Sequence, residues 1–179
     1  MDDRAVRTTI LGTAVCVCVL LVAASPGRAD DERQRQTLAG LKGLSIVVED
    51  LSPEAEKDGL SGATLQADLE AKVRGAGISV LTDDQAGRAP GSPHLYLKIS
   101  AMKHTGGFYA YHLLLGVRQR VTLVRAARVA GFAMTWSATD SLGTVAWANL
   151  PSIREDVKAK ADQFVKAYLA ANPPASRPR

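Results

Sequence analysis

Thiol chemistry in this 179-residue chain is limited to two cysteines, Cys16 and Cys18, both inside one apolar run near its start. Two thiols cannot build a disulfide scaffold or a four-thiolate zinc site. Val precedes each, where lipid attachment would ask for a small Gly or Ala. Enzyme motifs are missing as well: there is no G-x-S-x-G, P-loop, dinucleotide fingerprint or H-E-x-x-H. Gly59-Leu60-Ser61-Gly62 brings its second glycine too early for a nucleophile elbow and reads as an ordinary helix cap. Gly75-Ala76-Gly77 follows a helix, the wrong end for phosphate binding. These absences leave no catalytic residue, cofactor site or metal site to name. One further absence concerns charge: no Asp or Glu occurs from Gln85 through Thr139.

What is present begins with an address. Arg4 and Arg7 lead into an uncharged stretch, Thr8 to Gly27, whose apolar centre is Ile10 to Ala24, followed by Ser25-Pro26-Gly27-Arg28-Ala29. A basic lead, a short apolar run and small residues form a secretory signal peptide over 1–29, with cleavage expected after Ala29. The alternative is a retained anchor, since 20 uncharged residues barely span a bilayer. The chain is thus expected in the periplasm or secreted, touching membrane through an uncleaved signal or peripherally. Nucleic acid is a poor partner for an exported chain. The working chain then has no cysteine, which excludes thiol catalysis.

With 22% of the full chain charged and an ordinary apolar content, the part after the signal reads as folded. Residues 30–40 read as a flexible leader, 41–172 as a single domain, and 173–179 as a disordered basic tail. Leu44 to Val48 is rich in β-branched residues and predicts a strand. Leu65, Leu69 and Val73 recur every four residues and predict a helix over Ser61–Arg74, with Asp68-Lys72 and Glu70-Arg74 as charge pairs along it. Ile78 to Leu81 follows as a short strand parallel to the first, and Asp83 to Pro93 as a loop. The period then changes to two: Leu95, Leu97, Ile99 and Ala101, then Tyr109, Tyr111, Leu113, Leu115 and Val117, predict a hairpin. Pairing Ile99 with Leu113 and Leu97 with Leu115 keeps both apolar sets on one face and sets Tyr96 opposite Gly116. Phe132, Met134 and Trp136 alternate in a further strand, and Thr144 to Trp147 is a short element. Ser152 with Glu155 suggests a capping box for a last helix whose apolar face runs from Ile153 and Val157 through Phe164 to Leu169. The expected fold is α/β, an α+β sandwich: a mixed sheet of about five strands in β-α-β-β-β-α order with two amphipathic helices on one face.

Three constellations could carry function. Glu49, Asp50, Glu54, Glu56 and Asp58 crowd a loop at the carboxyl end of a strand, a place where ligand sites form in α/β units. Their spacing misses a calcium-hand loop, with Ala55 where its turn glycine belongs. His94, His104 and His112 lie along the hairpin, whose ends are about 25 Å apart, too far for one metal ion. The third is charge segregation. Between Gln85 and Thr139 stand Arg88, Lys98, Lys103, Arg118, Arg120, Arg125 and Arg128 without an acid, whereas Asp30 to Asp84 is net acidic. Lys98, Lys103, Arg118 and Arg120 with Tyr96, and Tyr109 and Tyr111 nearby, therefore form the candidate surface for an anionic partner: an envelope protein, a lipid or a glycan. Against this stands self-compensation, in which the acidic loop neutralises the basic strands and the cations guard strand edges.

The residues Ile46-Val47-Val48-Glu49-Asp50-Leu51-Ser52-Pro53-Glu54-Ala55-Glu56-Lys57-Asp58-Gly59-Leu60 resemble a group of exported bacterial proteins with no established activity. Ala76-Gly77-Ile78, Tyr109-Ala110-Tyr111, Thr135-Trp136-Ser137, Gly143-Thr144-Val145, Asn149-Leu150 and Ile153-Arg154 continue the likeness. It implies export and assigns no site. More distantly, the strand–helix–strand–hairpin order resembles α/β adaptor domains of bacterial envelope complexes. The expected function is a non-catalytic binding or envelope-assembly module. The alternatives are a hydrolase or metal-dependent enzyme using the Glu49–Asp58 loop, and a structural subunit pairing through a sheet edge.

Overall fold

A computed structural model describes residues 28–173. The apolar run and its basic lead lie outside these residues, as does the end of the basic tail. Five strands form one mixed sheet: β1 (Ser45–Val48), β2 (His94–His104), β3 (Phe108–Leu123), β4 (Ala126–Ser137) and β5 (Ser141–Ala146). The order is β1-β2-β3-β4, with β5 also on β3. β1 and β2 are parallel and the other pairings are antiparallel. Helices α3 (Gly62–Gly75) and α5 (Ile153–Ala171) cover one face, making a two-layer α+β sandwich. The short helices α1 (Arg28–Gln36), α2 (Pro53–Lys57) and α4 (Asp83–Arg88) complete it.

The core follows from the two periodicities. Leu65, Leu69 and Val73 of α3, and Ile153, Val157, Ala161, Phe164 and Tyr168 of α5, are buried against Ile46, Leu95, Leu97, Leu113, Leu115 and Val117 of the sheet. Burying each large aliphatic side chain stabilises the fold by about 1.5–3 kcal/mol. The β2–β3 register is as expected, with Ile99 opposite Leu113, Leu97 opposite Leu115 and Tyr96 opposite Gly116. The hairpin closes through Thr105–Gly107, where Gly107 takes φ +87.

Five local expectations are corrected. Ile78–Leu81 makes only a single parallel bridge, Leu44 to Val80, because the backbone there supplies just two bonds to Leu44. The Asp83–Pro93 loop begins as α4, closed by a capping box between Thr82 and Gln85. The leader is not loose where it is described. Asp30–Gln36 belongs to α1, the Gln34 side chain accepts from the Ser137 amide, and Leu38 is fully buried. Asn172, just past α5, donates to Leu38 O and accepts from the Gly40 amide, so the two ends of the domain are tied together. The Ser152–Glu155 capping box does not form, because Ser152 is already helical at the end of a 3-10 turn, Trp147–Ser152. Finally, Asp68 pairs with Arg154 rather than Lys72, and Lys72 reaches Asp162 at 2.6 Å. The charges on α3 therefore staple it to α5.

The alternation of Phe132, Met134 and Trp136 does not survive as one face. Val117 pairs with Trp136 but Arg118 with Met134, so Thr135 is a one-residue bulge. Trp136 turns into the core against Phe164, with ring centroids 5.6 Å apart. Met134 and Phe132 turn to the opposite, outer face of the sheet, which no helix of the described residues covers.

Candidate binding surface

Period-two alternation sends His94, Tyr96, Lys98, Ser100 and Met102 of β2 to the outer face, with His112, Leu114, Gly116, Arg118 and Arg120 of β3 beside them. Among the described residues no helix covers this side, and Met102 and Leu142 are largely exposed there. The five residues expected to form one cationic surface are divided by the structure into two groups.

Lys98 and Lys103 meet the acidic loop. Glu49 accepts hydrogen bonds from the Tyr96 hydroxyl and from Lys98 Nζ at 2.8 Å. Asp58 accepts from Lys103 Nζ at 2.6 Å and from the Tyr109 hydroxyl at 2.7 Å. Lys103 Nζ also lies 4.6 Å from the centre of the Trp147 ring. Tyr109 is fully buried and Tyr111 gives its hydroxyl to Asp156 at 2.5 Å, so both tyrosines support the fold instead of facing a partner. At Glu49 and Asp58, charges separated along the chain cancel in space.

Arg118 and Arg120 are different. The Arg118 guanidinium stacks over the Tyr96 ring at 4.8 Å, and Arg120 sits opposite Phe132 in the β3–β4 ladder. Neither forms an ion pair among the described residues. Val47, His94, Tyr96, Arg118 and Phe132 line a hollow of about 250 Å³. Burial lowers the His94 pKa from its ordinary value, and its Nδ1 lies 2.6 Å from the Ser45 hydroxyl. The hollow therefore offers one guanidinium, aromatic walls and a histidine that favours its neutral form.

Sequence reasoning left Arg125 and Arg128 out of the site. They lie on the distal β3–β4 hairpin and, like Arg118 and Arg120, have no ion pair among the described residues. The acid-free stretch was the signal that could have included them.

The acidic loop offers less chemistry than its composition suggests. Glu49 and Asp58 are engaged by cations, and among the described residues no three His, Asp or Glu side chains converge as a metal site. Glu54 and His112 do line one groove of about 560 Å³, together with Ser52, Ser100, Met102 and Leu142. His112 lies 3.5 Å from Asp140. Among the described helices, none is long and apolar enough to cross a membrane. No protein-family model matches the chain, and no curated protein sequence does so.

The buried polar contacts predict a titration. Hydrogen bonds from Lys103 and then Tyr109 hold the Asp58 carboxyl below its ordinary value of 3.8. Burial, then the bond to Asp58, pushes Tyr109 up to about 12, and the bond to Asp156, then burial, does the same for Tyr111. A depressed carboxylate contributes stability above its unfolded pKa, which is lost as the pH falls through the folded one. A raised phenol contributes stability that is complete below about 10 and lost as the pH rises through about 12. Absorbance titration of tyrosinate is expected to lose one late-ionising group on Tyr109→Phe and another on Tyr111→Phe, while Tyr168, raised by its own burial, stays late in both variants. Ionisation of Tyr109 and Tyr111 near 10 in the folded chain would contradict these contacts.

Proposed function

We propose that this chain is an exported, non-catalytic binding module that recognises an anionic component of the cell envelope through the arginine-bearing part of its outer face. Export is supported by the basic lead, the apolar run Ile10–Ala24 and the small residues after it. The observation that carries the binding reading is the contrast between the two groups of cations. Lys98 and Lys103 have carboxylate partners, whereas Arg118, Arg120, Arg125 and Arg128 have none among the described residues and share one end of the sheet. Guanidinium groups suit phosphate, sulfate and carboxylate oxygens through their planar fork of donors. Exposed arginines also make such binding sensitive to salt.

The test is retention on envelope extract and on immobilised dextran sulfate across a salt series. Arg118→Glu with Arg120→Glu is expected to weaken retention about tenfold or more at low salt. Lys98→Gln, which removes a charge already matched by Glu49, is expected to change it less than about twofold. Equal retention of the wild-type chain and the double arginine variant would remove the proposal.

A further inference from the structure

We propose that the distal β3–β4 hairpin inserts its apex into the surface of an anionic lipid bilayer; this rests on the anionic-partner reading above and names that partner. The hairpin stands beyond the body of the sheet. β2 accompanies β3 only as far as His94 opposite Arg118, and the Arg120 amide donates to Gly91 O. Past that point β3 pairs with β4 alone, forming a two-stranded finger that projects roughly 10 Å.

The apex chemistry is not what a water-facing turn requires. Two-residue hairpin turns favour Asn, Gly or Asp, whose backbones tolerate the conformation and whose side chains suit water. Here the turn is Val124-Arg125, and the Val124 side chain is completely exposed. Leu123 and Val129 beside it are 37% and 52% exposed, and Phe132 further back is 51% exposed. Around these aliphatic groups stand Arg120, Arg125 and Arg128, and the whole stretch from Gln85 to Thr139 supplies no carboxylate.

Apolar side chains on a convex tip, ringed by arginines, match the layering of a bilayer interface. The aliphatic groups enter the acyl boundary while the long arginine stems turn back to the phosphates. A folded acidic partner would instead need a pocket shaped to the tip. Addition of a strand to β4 is also blocked. Ala127–Val129 bulges out of the ladder, since Thr122 pairs with Ala130 but Leu123 with Ala126, and Thr135 makes a second bulge. At the base, Thr37 donates to Thr135 O and Gln34 accepts from the Ser137 amide, which occupies that edge. Bulges and side-chain caps are the usual defences of an edge strand. The finger is left with its tip as its binding element.

Because the apolar run Ile10–Ala24 can bind lipid independently, the experiment reads the finger itself. The full chain carries Cys16→Ala, Cys18→Ala and Val124→Cys, and the new thiol bears an environment-sensitive fluorophore. A second preparation bears the same probe at Gly62→Cys, at the start of α3. Both are mixed with vesicles of phosphatidylcholine alone or of phosphatidylcholine with phosphatidylglycerol. The probe at 124 is expected to shift to the blue and be quenched by spin-labelled lipid on the anionic vesicles only, and the probe at 62 to do neither. Arg125→Glu with Arg128→Glu should raise the lipid needed for half the shift by about 25-fold or more, taking roughly fivefold per lost arginine near an anionic surface. Circular dichroism checks that each variant is folded. No shift at 124 with retention on dextran sulfate intact overturns the bilayer proposal and leaves the anionic reading standing, as does capture of an acidic protein without a shift. Loss of both shift and retention overturns both. A shift on phosphatidylcholine alone, or one indifferent to the arginine variant, also overturns the proposal.

Discussion

Phe164→Ala is expected to lower stability by about 3–5 kcal/mol and the melting temperature by about 10 °C. Phe164 is fully buried on α5, with the Trp136 ring 5.6 Å away edge-on and the Tyr168 ring at 5.9 Å. It joins the last helix to β4 and, through Tyr168, whose hydroxyl donates to Leu41 O at 2.5 Å, to the start of the domain. Truncation leaves a cavity among rigid rings that cannot collapse to fill it, which places the cost at the upper part of the usual range. Urea titration followed by near-ultraviolet circular dichroism, where Trp136 reports the same contact, checks this. A loss below about 1 kcal/mol would mean that the helix is not seated on the sheet as described.

The second large effect is expected at Gly116. A Cβ there would lie 2.3 Å from Met134 Sδ and 2.5 Å from Trp136 O. The thioether can move, but the carbonyl belongs to the ladder that joins β3 to β4 and cannot move without breaking it. Gly116→Val is therefore expected to cost about 3 kcal/mol, at the top of the usual penalty of overpacking because backbone must shift. It should also loosen the Thr135 bulge that sends Met134 and Phe132 to the outer face. Gly131→Val is the control, since nothing lies within 4 Å of a Cβ at that position, and it should cost less than about 1 kcal/mol. Comparable losses at the two positions would show that the close approach at Gly116 does not govern the pairing.

The candidate surface was legible only in part. Tyr96, Lys98, Arg118 and Arg120 do share the outer face, as alternation implies. Lys103 has the opposite parity and reaches around to Asp58 at the end of the sheet. The expected self-compensation of charge is real for Glu49 and Asp58, whose partners are more than 40 residues away along the chain. It does not extend to the finger, where geometry keeps every acid of the described residues out of ion-pairing range.

Alternation and fourfold recurrence are properties of neighbouring residues. Leu95 to Ala101 and Tyr109 to Val117 accordingly announced a hairpin and its register, and Leu65, Leu69 and Val73 announced a buried helix face. A one-residue register slip would have exposed each of those side chains, so the pattern left a single solution. The bulge at Thr135, the cross-helix pairs Asp68–Arg154 and Lys72–Asp162, and the docking of α1 and Leu38 have no such local signature. They depend on which surfaces meet once the sheet is assembled. The same holds for charge: the sequence shows where cations are concentrated, but a carboxylate neutralises only what lies within a few ångströms of it in space. Tertiary structure alone decided that Lys98 and Lys103 would be matched and that the finger's arginines would not.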